Sequence, residues 1–198
     1  MSDVFKGQVQ GKVHWDLMGE HNVNNALMAI AAAKHSGVKS ELAVAALGQF
    51  VNVKRRMEIK AKVNGITLYD DFAHHPTAIA FTIDGLRAKV GDGRILAVLE
   101  PRSNTMKMGI HKDTLAASWS NADQVFIFEP SNLAWSMDDL LAQSDVTAML
   151  YKDMNMLVKS IISYVQPGDH ILVMSNGSFG GIHELLIEQL TKIELSKN

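Results

Sequence analysis

With 198 residues, 47% apolar and 20% charged, the chain has the composition of a folded globular protein, one domain or one domain plus an appendage. A net charge of −2 leaves no basic field, which argues against nucleic acid as a main partner. The lack of cysteine excludes a disulfide scaffold and thiol catalysis and leaves His, Asp and Glu as metal ligands. No apolar run approaches the roughly 20 residues that span a bilayer, and Met1–Lys6 has no apolar stretch of a secretion signal, so a cytoplasmic protein without membrane attachment is expected.

Residues 4 to 17 alternate in short stretches broken by Gly7 and Gly11 and predict one or two small strands. Val23 to Ala33 carries apolar residues at helical spacing and stops at Gly37; Ser40-Glu41 then opens a second short helix, Leu42 to Phe50. This much is too small for a core of its own. It either packs on the downstream segments or is the tail of a larger domain. Asn52-Val53-Lys54-Arg55-Arg56 reads as a joint. Beyond it, Met57–Val63 alternates, Asn64-Gly65 is the preferred type I′ turn, and Ile66–Tyr69 completes a hairpin.

From there strands and helices take turns. Thr77 to Lys89 predicts a helix, and Ile95–Leu99 and Gln124–Phe128 are unbroken apolar runs, as strands covered on both faces are. Val146–Tyr151 is a weaker strand, Ile171–Met174 another, and a last helix runs from His183 to about Ile193, with further helices between the strands. Repeated β-α units predict an α/β fold with a mostly parallel, doubly wound sheet. Three strands end in polar loops, Glu100-Pro101-Arg102-Ser103-Asn104, Glu129-Pro130-Ser131-Asn132 and Ser175-Asn176-Gly177-Ser178, which gathers polar groups at the sheet edge where ligands of such folds bind.

The densest chemistry is Asp70-Asp71-Phe72-Ala73-His74-His75-Pro76, two carboxylates and two imidazoles where a strand gives way to a helix. Three readings stand side by side: a Zn or Mn site, a cradle for a nucleotide ribose that also positions a substrate, or a polar turn in which Asp71 caps the next helix. Ser175–Gly181 follows a strand and opens a helix, so its N–H groups suit a carboxylate or phosphate, or form only a tight turn. It is neither a P-loop nor a dinucleotide fingerprint. Arg102, with Asn104 and Lys107 after it, suits capture of a carboxylate or is a solvated loop arginine. Arg55-Arg56 suits a phosphate or an interdomain ion pair. Asn22 and Asn25, three apart, read an adenine edge or cap their helix.

In order along the chain, these segments resemble the Mur ligase family, ATP-dependent enzymes that join amino acids or peptides to UDP-N-acetylmuramic acid. Gly19-Glu20-His21-Asn22-Val23-Asn24-Asn25 is similar to the H-N-x-x-N motif of the family's central ATPase domain, and Asp70–Thr77 to the D-D-Y-A-H-H-P-T motif opening its C-terminal domain. Glu100–Lys107 and Val173–His183 are similar to the branch that couples a tripeptide. The resemblance implies that residues 1–54 are the end of the central ATP-binding domain and 55–198 a Rossmann-like C-terminal domain. It implies ATP contacts by His21, Asn22, Asn25, Arg56 and Asp71, the last at the ribose. It puts His74 and His75 opposite the incoming amine, and Arg102, Asn104, Lys107, Ser175, Asn176 and Gly177 around the acceptor's carboxylates.

The reaction so implied phosphorylates the carboxylate of UDP-N-acetylmuramate with ATP and Mg²⁺; the amine of the murein tripeptide L-alanyl-γ-D-glutamyl-meso-diaminopimelate then attacks the acyl phosphate. The family's phosphate loop, metal ligands and UDP-binding domain have no counterpart in these 198 residues, so the chain is not expected to ligate alone. Two other functions remain open. One is a metal-dependent phosphoesterase built on the Asp/Asp/His/His cluster, although Ala73 replaces the aspartate of the corresponding motif. The other is a non-catalytic peptide- or nucleotide-binding module.

Overall fold

The computed structural model describes residues 2–5, 8–15, 17, 19–51, 53–129, 131 and 133–195. Gly7, Asn52, Pro130 and Asn132, named above, lie outside the described residues, and so does the side chain of His21. The chain divides into two compact units, Met1–Lys54 and Arg55–Asn198.

In the first unit, strands β1 (Ser2–Phe5) and β2 (Gln8–Lys12) pair antiparallel. Helices α1 (Glu20–His35) and α2 (Ser40–Gly48) come next, and the chain reverses between them at Gly37, whose φ of 90° is left-handed. Val13, Ile30, Ala43 and Val44 form a small core with Trp15, Ala33 and Leu47, so the unit does gather a cluster of its own. β2 passes close to α2 at Gly11, where a Cβ would stand 2.8 Å from Val44. Helix α1 begins at Glu20 rather than Val23, an acidic residue that suits the first turn. Its middle, residues 26–33, is apolar throughout, yet only Ala26 and Ile30 of that run are buried; Met28 is 71% exposed.

The second unit is a six-stranded sheet ordered β3-β4-β8-β5-β6-β7. β3 (Glu58–Val63) and β4 (Ile66–Asp71) form the expected hairpin, with Asn64 and Gly65 both at positive φ (52° and 74°), as a type I′ turn requires. β4 lies parallel to β8 (His170–Met174), which lies parallel to β5 (Ile95–Leu99); β6 (Gln124–Phe128) and β7 (Ala148–Tyr151) continue in the same sense. The expected mostly parallel sheet is present, and β5 and β6 occupy the residues read from sequence. β7 starts two residues late because Ser144 and Val146 are tied in a turn, the Ser144 hydroxyl donating to the Val146 carbonyl at 2.6 Å.

Alternation along each strand sends side chains to two covered faces. On one, Leu68, Leu96, Val98, Phe126, Ile171 and Val173 pack on helices α7 (Met154–Tyr164) and α8 (Ile182–Leu195) through Leu157, Ile161, Ile182 and Leu186. On the other, Leu99, Ile127 and Met174 meet Ile79 of α3 (Pro76–Val90) and Met106, Leu115 and Trp119. The link from β5 to β6 is not one helix but α4 (Asn104–Lys107), α5 (Lys112–Leu115) and a 3₁₀ turn, Ala116–Trp119. Gly109, at φ 74°, breaks it, and the Trp135 ring lies where its side chain would be. A short α6 (Asp138–Ala142) precedes β7. Among the described residues no helix is long and apolar enough to cross a membrane.

Leu172 is fully buried in β8 with a parallel strand on each side. Leu172→Ala should cost about 2–5 kcal/mol, read as a lowered midpoint of urea unfolding.

Candidate functional site

Register alone assembles one edge of the second unit. Asp71 of β4 and Leu99 of β5 both stand opposite Met174 of β8. The ladder runs one residue further, Ser175 N–H donating to the Asp71 carbonyl and Glu100 N–H to the Met174 carbonyl. The segments after these strands, Phe72–His75, Ser175–Gly177 and Glu100–Asn104, therefore emerge side by side at the carboxyl end of the sheet.

Asp70 and Asp71 are consecutive strand residues and point to opposite faces. Asp70, 5% exposed, faces α8: its carboxylate lies 3.3 Å from Arg55 Nε, and its Oδ1 lies 3.3 Å from His183 Nε2. The histidine contact is off the line of a hydrogen bond, and Nε2 has no hydrogen-bond partner among the described residues. Burial alone would raise the Asp70 carboxyl; His183 and Arg55 outweigh it and hold the group below the ordinary carboxylate value.

Asp71, 3% exposed, faces α3 and accepts the N–H of Met57 (2.8 Å), the N–H of Ala73 (2.8 Å) and the Thr82 hydroxyl (3.2 Å). Burial raises its carboxyl above the ordinary value, offset in part by those donors and by the charge of Arg56. It does not cap α3. The cap is His75, whose ring Nδ1 accepts the Ala78 N–H at 3.4 Å and so carries its proton on Nε2.

His74 has the opposite tautomer. Its Nδ1 lies 2.8 Å from the Phe72 carbonyl, which can only accept, so Nδ1 holds a proton and, in the neutral ring, the lone pair is on Nε2. The His74 ring is set edge-to-face against both Phe72 (5.2 Å) and His75 (5.4 Å). Arg56 is exposed with its guanidinium 5.9 Å from the Phe72 ring centre; Arg55 covers the same ring at 5.3 Å.

The structure brings Arg102 and the Ser175–Gly177 loop together. A Cβ on Gly177 would fall 1.8 Å from Arg102 Nη1, so the guanidinium lies directly across the glycine. Ser175 is buried: its hydroxyl donates to Glu100 Oε2 at 2.5 Å and accepts the Gly177 N–H at 3.0 Å. Asn176 Oδ1 is buried without a hydrogen-bond partner among the described residues. Asn104 and Lys107 lie on α4 at the same edge, but no side-chain hydrogen bond among the described residues joins either to the loop. In the first unit, Asn22 and Asn25 both lie within α1. Neither caps it, for Gly19 holds that position without a side-chain bond.

Sequence reasoning assigned no role to Glu100 or His183 and read Arg55 as a partner for a phosphate or an interdomain ion pair; its partners, Asp70 and Ser175, lie in its own unit but are distant in the chain. Arg55 Nη2 donates to the Ser175 carbonyl at 2.5 Å across 120 residues. One signal was available for Glu100, which opens the same strand-end loop as Arg102. Among the described residues no three His, Asp or Glu side chains are grouped to hold a metal ion.

His75 is held below the ordinary imidazole value, by burial first and then by the neighbouring His74 and His111. Its neutral form is favoured in the fold, so the stability it contributes is present above that ordinary value and lost as pH falls through the folded one. His75→Asn keeps an N-cap acceptor and removes the titration. The thermal midpoint of the variant should fall less steeply than that of the parent between about pH 7 and 5. His170, also held low by burial, leaves part of the slope in place.

The sequence family described as Mur ligase, glutamate ligase domain, matches residues 55–177. The chain is 56% identical over 185 residues to UDP-N-acetylmuramate–L-alanyl-gamma-D-glutamyl-meso-2,6-diaminoheptandioate ligase of Haemophilus influenzae, covering 93% of this chain and 41% of that protein. Identity to the protein of the same name from Escherichia coli is 53% over 190 residues, covering 96% and 42%. Among solved structures, a murein peptide ligase from Psychrobacter arcticus 273-4 superposes with a TM-score of 0.72 at 45% identity, covering 90% of this chain and 38% of that one. The chain thus spans about two fifths of the length of the curated relatives it matches. It belongs to the Mur ligase family, whose glutamate ligase domain extends over residues 55–177.

Proposed function

We propose that this chain is the acceptor-handling part of an ATP-dependent ligase that joins L-alanyl-γ-D-glutamyl-meso-diaminopimelate to UDP-N-acetylmuramate in peptidoglycan recycling. The observation that carries the reading is the Arg102 guanidinium laid across Gly177, beside a Ser175 braced by Glu100. The half-exposed fork of N–H donors of Arg102 suits a planar carboxylate, and the tripeptide is rich in carboxylates. The 53–56% identity to relatives named for that tripeptide supports the same substrate.

Ligation requires the muramoyl carboxylate to be activated as an acyl phosphate, with ADP leaving. The acceptor amine then attacks the carbonyl carbon, the amide bond forms, and inorganic phosphate and one proton are released. His74, with its Nε2 lone pair, takes that proton, and His75 packs against its ring. Arg56 meets the nucleotide phosphates, and Asn22 and Asn25, with His21, meet the adenine. Asp71 is already engaged by three donors, so we assign it to holding the turn beside Arg56 rather than to direct contact with the ribose. Ser175 and the Gly177 N–H are committed to each other and support the loop, leaving Arg102 and Asn176 to meet the ligand, with Asn104 and Lys107 at the rim.

Among the described residues no three His, Asp or Glu side chains are grouped to hold a metal ion, and we assign none of them to Mg²⁺. The same finding disfavours the phosphoesterase reading. A reaction that draws on ATP and a UDP-sugar is a cytoplasmic one.

Calorimetric titration of the 198-residue chain with the tripeptide tests the reading. Binding is expected, with affinity lowered about tenfold or more by Arg102→Ala, the scale of a lost charged hydrogen bond. Absence of heat with the parent chain, or equal affinity in the variant, would sink it. The chain mixed with ATP, UDP-N-acetylmuramate and tripeptide should release no ADP, because its sequence has no Gly-Lys-Ser/Thr loop to hold the phosphates.

A further inference from the structure

We propose that Asp70 is a positioning residue that sets two ligand-facing elements at once, the Arg56 side chain and the Ser175–Gly177 loop, by way of the Arg55 guanidinium. Asp70 is too deeply buried to reach a ligand itself. Arg55 divides its fork between the two sides: Nε lies 3.3 and 3.4 Å from the Asp70 oxygens, and Nη2 donates to the Ser175 carbonyl. Lysine, a single point charge, could not serve both partners.

On the first side stands a strained turn. Arg55 and Met57, neither of them glycine, hold left-handed φ values of 58° and 51° with Arg56 between them. Several contacts hold this turn: Asp70 on the Arg55 side chain, Phe72 N–H on the Arg55 carbonyl (2.9 Å), and Asp71 on the Met57 N–H. Arg55 N–H also donates to Glu58 Oε2 at 2.9 Å. On the second side, the Ser175 carbonyl opens the loop that continues through Gly177 to the overlying Arg102. His183, from the first turn of α8, flanks Asp70 Oδ1 at 3.3 Å.

A carboxylate buried this far is costly unless its partners need it there. The partners it joins are the elements assigned above to nucleotide phosphate and to acceptor carboxylate. The proposal rests on that reading only for what the elements bind; the linkage stands on geometry alone.

The test compares the 198-residue chain with Asp70→Asn, Asp70→Glu and Arg55→Lys by amide hydrogen exchange and by titration with the tripeptide. In Asp70→Asn and Arg55→Lys, exchange at the Gly177 and Phe72 amides should quicken by about tenfold or more while Val98 and Phe126 keep their protection. Asp70→Glu, which restores the charge, should recover part of that protection. Tripeptide affinity should fall by about tenfold in the first two variants, as when a supporting residue behind a binding group is lost. If Asp70→Asn does not fold, Arg55→Lys carries the comparison. Equal quickening at Val98 and Gly177 would make Asp70 a stabiliser of the whole domain and overturn the proposal, as would unchanged exchange at Gly177. Should the parent chain take up no tripeptide while the local exchange pattern holds, the substrate reading falls and the positioning role stands.

Discussion

Two neighbouring carboxylates buried at the end of one strand, Asp70 and Asp71, hold the carboxyl edge of the second unit in shape. Strand geometry turns them to opposite faces, so each works in a different environment although they are adjacent in sequence. Asp70 meets Arg55 and His183 and stays ionised; Asp71 meets three neutral donors and is pushed the other way by burial. Acid therefore acts on the pair in opposite senses. The stability from Asp70 is present above the ordinary carboxylate range and lost as pH falls, while that from Asp71 is greatest below that range and lost as pH rises through its raised value. A group kept charged beside one biased toward neutrality is an arrangement found where an edge must order charged ligands.

The same pair shows how contacts made at long range organise what lies close in space. Met57 N–H reaches Asp71 across 14 residues, and Arg55 reaches Ser175 across 120. The turn at residues 55–57 is where the chain passes from its first unit into its second. Placing two non-glycine residues at positive φ there costs about 1–3 kcal/mol each, and the surrounding hydrogen bonds keep the turn from relaxing.

Much of this architecture is legible in the amino-acid sequence. Ile95–Leu99 and Gln124–Phe128 are apolar throughout because parallel strands covered on both faces have no wet side, and Asn64-Gly65 specifies a turn that few other pairs allow. The break in the β5–β6 link is not legible, because Gly109 is one glycine among helix-forming residues and the Trp135 ring that fills the space beside it comes 26 residues later. The site is half legible. Arg102 and the Ser175–Gly177 loop stand out as polar loops at strand ends, and register brings them together. Glu100 and His183 do not, and Arg55 stands out as a charge without its partner, since each acts through a residue at least 15 positions away and a lone sequence does not carry those pairings. Reading Asp71 as a helix cap fails for a simpler reason: Pro76 starts α3 one residue after His75, so the cap falls to the imidazole.

The closeness of Arg102 to Gly177 reaches beyond ligand capture. Gly177 sits in a loop that is neither deeply buried nor left-handed, the kind of position where evolution usually tolerates small side chains. Here even a methyl group would occupy the space of the guanidinium. A side chain at residue 177 can be seated only if the Arg102 side chain swings aside, so the missing Cβ is what lets the guanidinium rest over the loop.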